Sequence, residues 1–188
     1  AIGGAAQFGD LVQHLVDQLL ERLAGRFAFL LECDLLLTGL GQQLLDDACR
    51  ALQLWRQEIP LADEFTIHIN LSTKQFCHRG LIAQIEDALR RYQLSGTALT
   101  LEITEEVLRE HPVLATAMLG DLRELKVHVC IDDFGIGRSS LSYLHQFPLD
   151  ILKIDRSFTA GLGTNLTSNA IVQAIIGLGN NLGMQTIA

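Results

Sequence analysis

The chain has 188 residues, 48% of them hydrophobic and three of them proline, a composition that builds one compact domain with a large core and excludes disorder. Its formal net charge of −8 excludes a surface for long nucleic acid, which needs a basic field, while a small anionic ligand stays open because one cation can reverse the charge locally. No apolar run reaches the roughly 18 residues of a membrane span, the first residues do not read as a basic n-region followed by an apolar h-region, and Cys33, Cys49, Cys77 and Cys130 form no C-x-x-C pair, so a reduced, cytoplasmic protein without membrane contact is expected.

In chain order, "GDLVQHLVDQLLERLAG" (9–25) spaces Leu11, Leu15, Leu19 and Leu20 as one face of a helix, and "RFAFLLEC" (26–33) reads as a strand. Residues 1–25 are assigned to an N-terminal helix or the tail of a preceding domain, and 26–188 to the main domain. Five β-rich runs follow: "FTIHINLS" (65–72), "ALTLEITE" (98–105), "VHVCIDDF" (127–134), "LDILKIDR" (149–156) and "MQTIA" (184–188). Three segments with helical spacing lie between them. Residues 80–94 carry Leu81, Ile82, Ile85, Ala88 and Leu89 on one face, and 111–125 carry Val113, Ala117, Leu119 and Leu122. The third, 168–182, has Ser168 or Asn169 as its expected N-cap. Strands alternating with helices imply βαβ units and a parallel α/β sheet.

The polar residues collect where those strands end. Asn70 closes the first run, Glu102 lies near the end of the second, Asp132 and Asp133 end the third, and Lys153 with Asp155 comes late in the fourth. In a parallel sheet these ends share one face, where ligands bind. Three carboxylates and an amide oxygen make a hard donor set suited to Mg²⁺ or Mn²⁺ rather than zinc, and such ions activate water and stabilise charge in phosphate-ester displacement. Lys153 beside them would orient the attacking water or screen a phosphate oxygen. The plainer alternative is a set of solvated strand ends, with Asp132 capping the next turn and Lys153 paired to Asp150 or Asp155. His68 and His128 lie within strands and read as packed, hydrogen-bonded residues. "DFG" lacks the glycine-rich loop and His-Arg-Asp of a kinase, no P-loop or H-E-x-x-H occurs, and the residues around the serines after "DDFG" do not suggest a serine hydrolase.

"INLSTKQF" (69–76), "LEITEEVL" (101–108), "IDDFGIGRSSLSYL" (131–144) and "LDILKIDRSF" (149–158) resemble, in order and spacing, the motifs of the EAL-domain phosphodiesterases, which hydrolyse cyclic di-GMP to linear pGpG in bacterial signalling. The resemblance runs from about Thr38 to Ala188. It implies a TIM-like (β/α) barrel in which Asn70, Glu102, Asp132 and Asp133 ligate two Mg²⁺ or Mn²⁺ ions. It also implies that Lys153 serves the catalytic water and that Glu105 holds the loop after "DDFG", through which the family forms homodimers. A diguanylate cyclase or sensor domain in the same polypeptide is a further implication.

The sequence departs from the pattern in several places. Ile136 and Arg138 replace the usual Thr and Tyr of the loop, and the Glu-Ala-Leu tripeptide is absent, with Glu32 the nearest acid on a strand-like run. The family continues past "TIA" (186–188) with another acid, and about four residues of its pattern are missing between Leu40 and Gly41. A TIM barrel needs at least about 200 residues, so the expectation is an incomplete barrel made of segments of a longer polypeptide. A catalytically inactive receptor for cyclic di-GMP, or a protein-interaction module, is the alternative function.

Overall fold

The computed structural model describes residues 34–58, 65–135 and 144–188. The chain divides into two compact units, Ala1–Leu40 and Gly41–Ala188, and the sheet and its helices belong to the second. Helix α1 spans Asp34–Glu58. The expected helix at 9–25, the strand at 26–33, Glu32 and the domain boundary after residue 25 lie outside the described residues, as does most of the loop after "DDFG".

All five β-rich runs form strands: β1 Ile67–Asn70, β2 Leu99–Thr104, β3 His128–Phe134, β4 Ile151–Ile154 and β5 Gln185–Ile187. They pair in parallel in the order β1-β2-β3-β4-β5. Every strand therefore sits beside its sequence neighbour, the order of a singly wound barrel rather than of a doubly wound sheet, where the order reverses. Among the described residues β1 and β5 each have one partner strand, so the barrel is not closed.

Helices α2 Thr73–Phe76 and α3 Leu81–Arg91 follow β1, α4 Glu105–Glu110 and α5 Pro112–Glu124 follow β2, and α6 Arg156–Thr159 and α7 Leu166–Leu182 follow β4. A capping box starts α2: the Ser72 hydroxyl accepts from the Gln75 amide while the Gln75 side chain accepts from the Ser72 backbone. In α3 the expected face is the buried one, with Leu81, Ile85, Ala88 and Leu89 inside and Arg90 and Arg91 at the negative end of the helix dipole. Among the described residues no helix is long and apolar enough to cross a membrane.

Two local expectations need correction. The buried stripe of α5 is Ala115, Met118, Leu119 and Leu122, whereas Val113 is 85% exposed and Ala117 is exposed too. Pro112 starts the helix at its first position, so Val113 falls in the opening turn outside the packed stripe. The N-cap of α7 is Asn165, whose side chain accepts from the Thr167 and Ser168 amides, three residues before the expected cap. Apolar periodicity is blind to a helix's polar first turn, and here the cap sets the start.

Strand alternation divides the sheet into two unlike faces. Ile69, Leu99, Leu101, Ile103, Val129, Ile131, Leu152 and Ile154 join Phe76, Ile85, Leu108, Leu119, Leu122 and Ile175 in one core between sheet and helices. By register, the opposite face carries His68, Asn70, Thr100, Glu102, Cys130, Asp132 and Lys153.

Candidate functional site

The polar face concentrates its charge toward the C-terminal ends of β1 to β4. Asn70 stands opposite Glu102, Glu102 opposite Cys130, and Thr104 opposite Asp132. Glu102 is 4% exposed, and a carboxylate so far from water must be compensated by nearby donors. One donor comes from each side: His68 Nδ1 lies 2.7 Å from Glu102 Oε1, and Lys153 Nζ lies 2.6 Å from Glu102 Oε2. The same ammonium is 3.3 Å from Asp132 Oδ1. Burial works against the charge on Lys153, but the hydrogen bonds and charges of Glu102 and Asp132 outweigh it and hold the ammonium above the usual lysine range.

Two adjacent aspartates would normally point to opposite faces of a strand. A bulge removes that conflict. Ile131 pairs with Leu152 and Phe134 with Ile154, so Asp132 and Asp133 together face the single residue Lys153, the two-against-one count of a β-bulge. Asp133 takes a left-handed φ of 55°, a conformation that aspartate tolerates better than most residues, and its amide donates to Asp132 Oδ1 at 2.8 Å. Gly135 follows at φ 103°, and a Cβ there would come within 2.9 Å of the Phe158 ring, so the turn out of β3 requires glycine.

Burial, then the charges of Asp132 and Asp155, push the Asp133 carboxyl up, and a hydrogen bond to Asp155 adds to the shift. Asp155 moves the other way: its hydrogen bonds to Ser157, foremost, hold it below the usual carboxylate range. Its Oδ1 accepts from the Ser157 amide at 2.7 Å and caps α6.

The structure brings Glu102, Asp132 and Lys153 into direct contact and sets Asp133 beside them through the bulge. Asn70 is exposed at the end of β1, level with Glu102. Glu105, read from sequence as part of a strand run, is instead the buried first residue of α4, and the loop after "DDFG" that it is expected to hold is outside the described residues. Lys153 pairs with Glu102 and Asp132, while Asp150 accepts from the Val129 amide at 2.8 Å and Asp155 caps α6. Sequence reasoning missed His68 as a member of this site. Its signal was its position two residues before Asn70, on the same face of β1.

No group of three or more His, Cys, Asp and Glu side chains is gathered as a metal cage among the described residues. Nevertheless Glu102 Oε2 and Asp132 Oδ1 both close on one positive centre, the Lys153 ammonium. Two hard oxygens from adjacent strands converging on one cation are the donor chemistry of Mg²⁺ or Mn²⁺, and the residues fit such an ion at this point. A separate cavity of about 610 Å³, lined by residues including His128, Asp150 and Gln185, opens at the N-terminal ends of β3 to β5, away from these groups.

A family model described as EAL domain matches residues 12–188. The chain is 37% identical over 167 residues to the signaling protein YkoW of Bacillus subtilis, covering 89% of this chain and 20% of that protein. It is 38% identical over 164 residues to the bifunctional diguanylate cyclase/cyclic di-GMP phosphodiesterase MucR of Pseudomonas aeruginosa, covering 87% of this chain and 24% of MucR. It therefore spans about a fifth to a quarter of the length of these relatives. Among solved structures, the MucR phosphodiesterase in complex with c-di-GMP superposes with a TM-score of 0.73 at 35% identity, over 90% of this chain and 65% of that one. The EAL domain of Mycobacterium smegmatis DcpA gives a TM-score of 0.74 at 36% identity, over 79% of this chain and 67% of that one. The sheet order, the helices between strands and these superpositions make the fold a TIM-like α/β barrel, unclosed among the described residues, and the chain belongs to the EAL domain family.

Proposed function

We propose that this chain carries the catalytic face of a metal-dependent phosphodiesterase that hydrolyses cyclic di-GMP to linear pGpG in the cytoplasm. The observation that carries the reading is the Lys153 ammonium held between Glu102 and Asp132 at the strand ends, in a chain 38% identical to a cyclic di-GMP phosphodiesterase. Glu102 and Asp132 would hold the first ion, with Asn70 and Asp133 completing the set for two. A bound Mg²⁺ or Mn²⁺ supplies positive charge for the phosphate oxygens and makes a water more acidic. Lys153, beside these carboxylates, is assigned to orienting the water or offsetting phosphate charge.

Glu105 at the start of α4 is assigned to holding the loop after Gly135, and that loop to homodimer contacts. Residues 26–188 are assigned to the phosphodiesterase domain and 1–25 to an N-terminal helix or the tail of a preceding domain, with a diguanylate cyclase or sensor domain in the same polypeptide. A second reading, an inactive receptor for cyclic di-GMP, is favoured by the lack of a three-acid cage among the described residues. The test is turnover by the purified full-length protein with Mg²⁺ or Mn²⁺, followed by separation of pGpG. The wild type should release pGpG, and Asp132→Asn, which removes a ligand charge at nearly constant volume, should lose on the order of a thousandfold in rate, about 4 kcal/mol of transition-state stabilisation. Binding of cyclic di-GMP by the wild type without any pGpG would establish the receptor instead.

A further inference from the structure

We propose that His68 is a positioning residue that decides which oxygen of Glu102 meets the cation. The inference rests on the phosphodiesterase reading and extends it to a residue outside the family-derived ligand set. On β1, His68 stands opposite Thr100 and Asn70 opposite Glu102, so the imidazole reaches Glu102 along the diagonal between neighbouring strands, a span that long side chains cover. A carboxylate paired to an ammonium can only accept, so Nδ1 carries the hydrogen and donates to Oε1 across 2.7 Å.

That bond leaves Oε2 as the oxygen that now meets the Lys153 ammonium at 2.6 Å. Water admitted at the half-exposed position of His68 could solvate Oε1 but would not fix the rotation of the carboxylate. With Oε1 occupied, Glu102 offers a cation one oxygen rather than two, and that oxygen points toward Asp132. Partners that orient a ligand in this way commonly contribute tenfold to a hundredfold in metal affinity. The His68 side chain is itself 34% exposed, so its replacement opens no core cavity, which separates a positioning role from a packing role.

The ring nitrogen that makes the bond is the one nearer the backbone. An asparagine amide nitrogen can occupy the place of Nδ1, whereas a glutamine amide reaches the place of Nε2. In the full-length protein, Mn²⁺ affinity measured by calorimetry should fall about tenfold or more for H68A and H68Q and stay near the wild-type value for H68N, while the metal-free melting temperatures of all three remain close to the wild type. Equal Mn²⁺ affinity in the wild type and all three variants would overturn the positioning role. So would a loss in H68N as large as in H68A, or a loss that tracks a falling melting temperature across the three. A wild type that binds no Mn²⁺ would remove the phosphodiesterase reading together with this inference, an outcome distinct from a wild type that binds the metal and ignores His68.

Discussion

The two faces of the sheet are built from the same five strands, yet they differ in every property that matters. Toward the helices, Leu101, Ile103, Ile131 and Leu152 are each at most 1% exposed and make only dispersion and hydrophobic contacts. On the other face the same alternation places His68, Asp132 and Lys153 around the buried Glu102, whose charge has to be offset by hydrogen bonds and opposite charge. The first face would tolerate apolar exchange of similar volume. The second would not, because an apolar residue in place of Lys153 would leave the buried Glu102 carboxylate without its counter-charge. Stability and chemistry are thus separated along a single period of two residues.

The apolar side can be broken first. Phe76, fully buried at the end of α2, supplies the largest side chain there, and Phe76→Ala should lower unfolding stability by about 3–5 kcal/mol in urea titrations. A loss under 1 kcal/mol would mean that the helix layer carries less of the fold than its burial indicates. Alkaline pH tests the same side more gently. Burial, then the charge of Asp46, pushes the Cys49 thiol on α1 up to about 11 from an ordinary 9. A group raised in the folded state stabilises fully below its unfolded value, and that contribution is lost as pH rises through the folded one. Two pKa units correspond to about 3 kcal/mol, so stability should decline between pH 9 and 11, and Cys49→Ala should flatten that part of the curve. An unchanged slope in the variant would remove Cys49 as the cause.

Much of the frame was legible because periodicity encodes it. Each β-rich run became a strand, and the three helical stretches became α3, α5 and α7, since burial on one face demands the spacing that the sequence shows. The ends of elements were less legible: Asn165 caps α7 through its own hydrogen bonds, which no apolar pattern records, and Pro112 turns Val113 outward. The site was legible as residue types at strand ends. Its connections were not. Whether Lys153 pairs with Glu102 or with Asp155 depends on the register between β2, β3 and β4, and the joint placement of Asp132 and Asp133 depends on a bulge with a left-handed aspartate. His68 remained hidden because a histidine within a strand looks the same whether it packs or orients a carboxylate.

The central claim is that the polar face is built to take a divalent cation where the Lys153 ammonium now bridges Glu102 and Asp132. Thermal melting of the full-length protein with and without millimolar Mn²⁺ tests it most directly, because an ion bound only by the folded state must raise the midpoint through mass action, by about 2.7 kcal/mol at a hundredfold excess over Kd. The account predicts a rise of several degrees for the wild type that largely disappears in Asp132→Asn. An unchanged midpoint in the wild type, or an equal rise in both proteins, would contradict it.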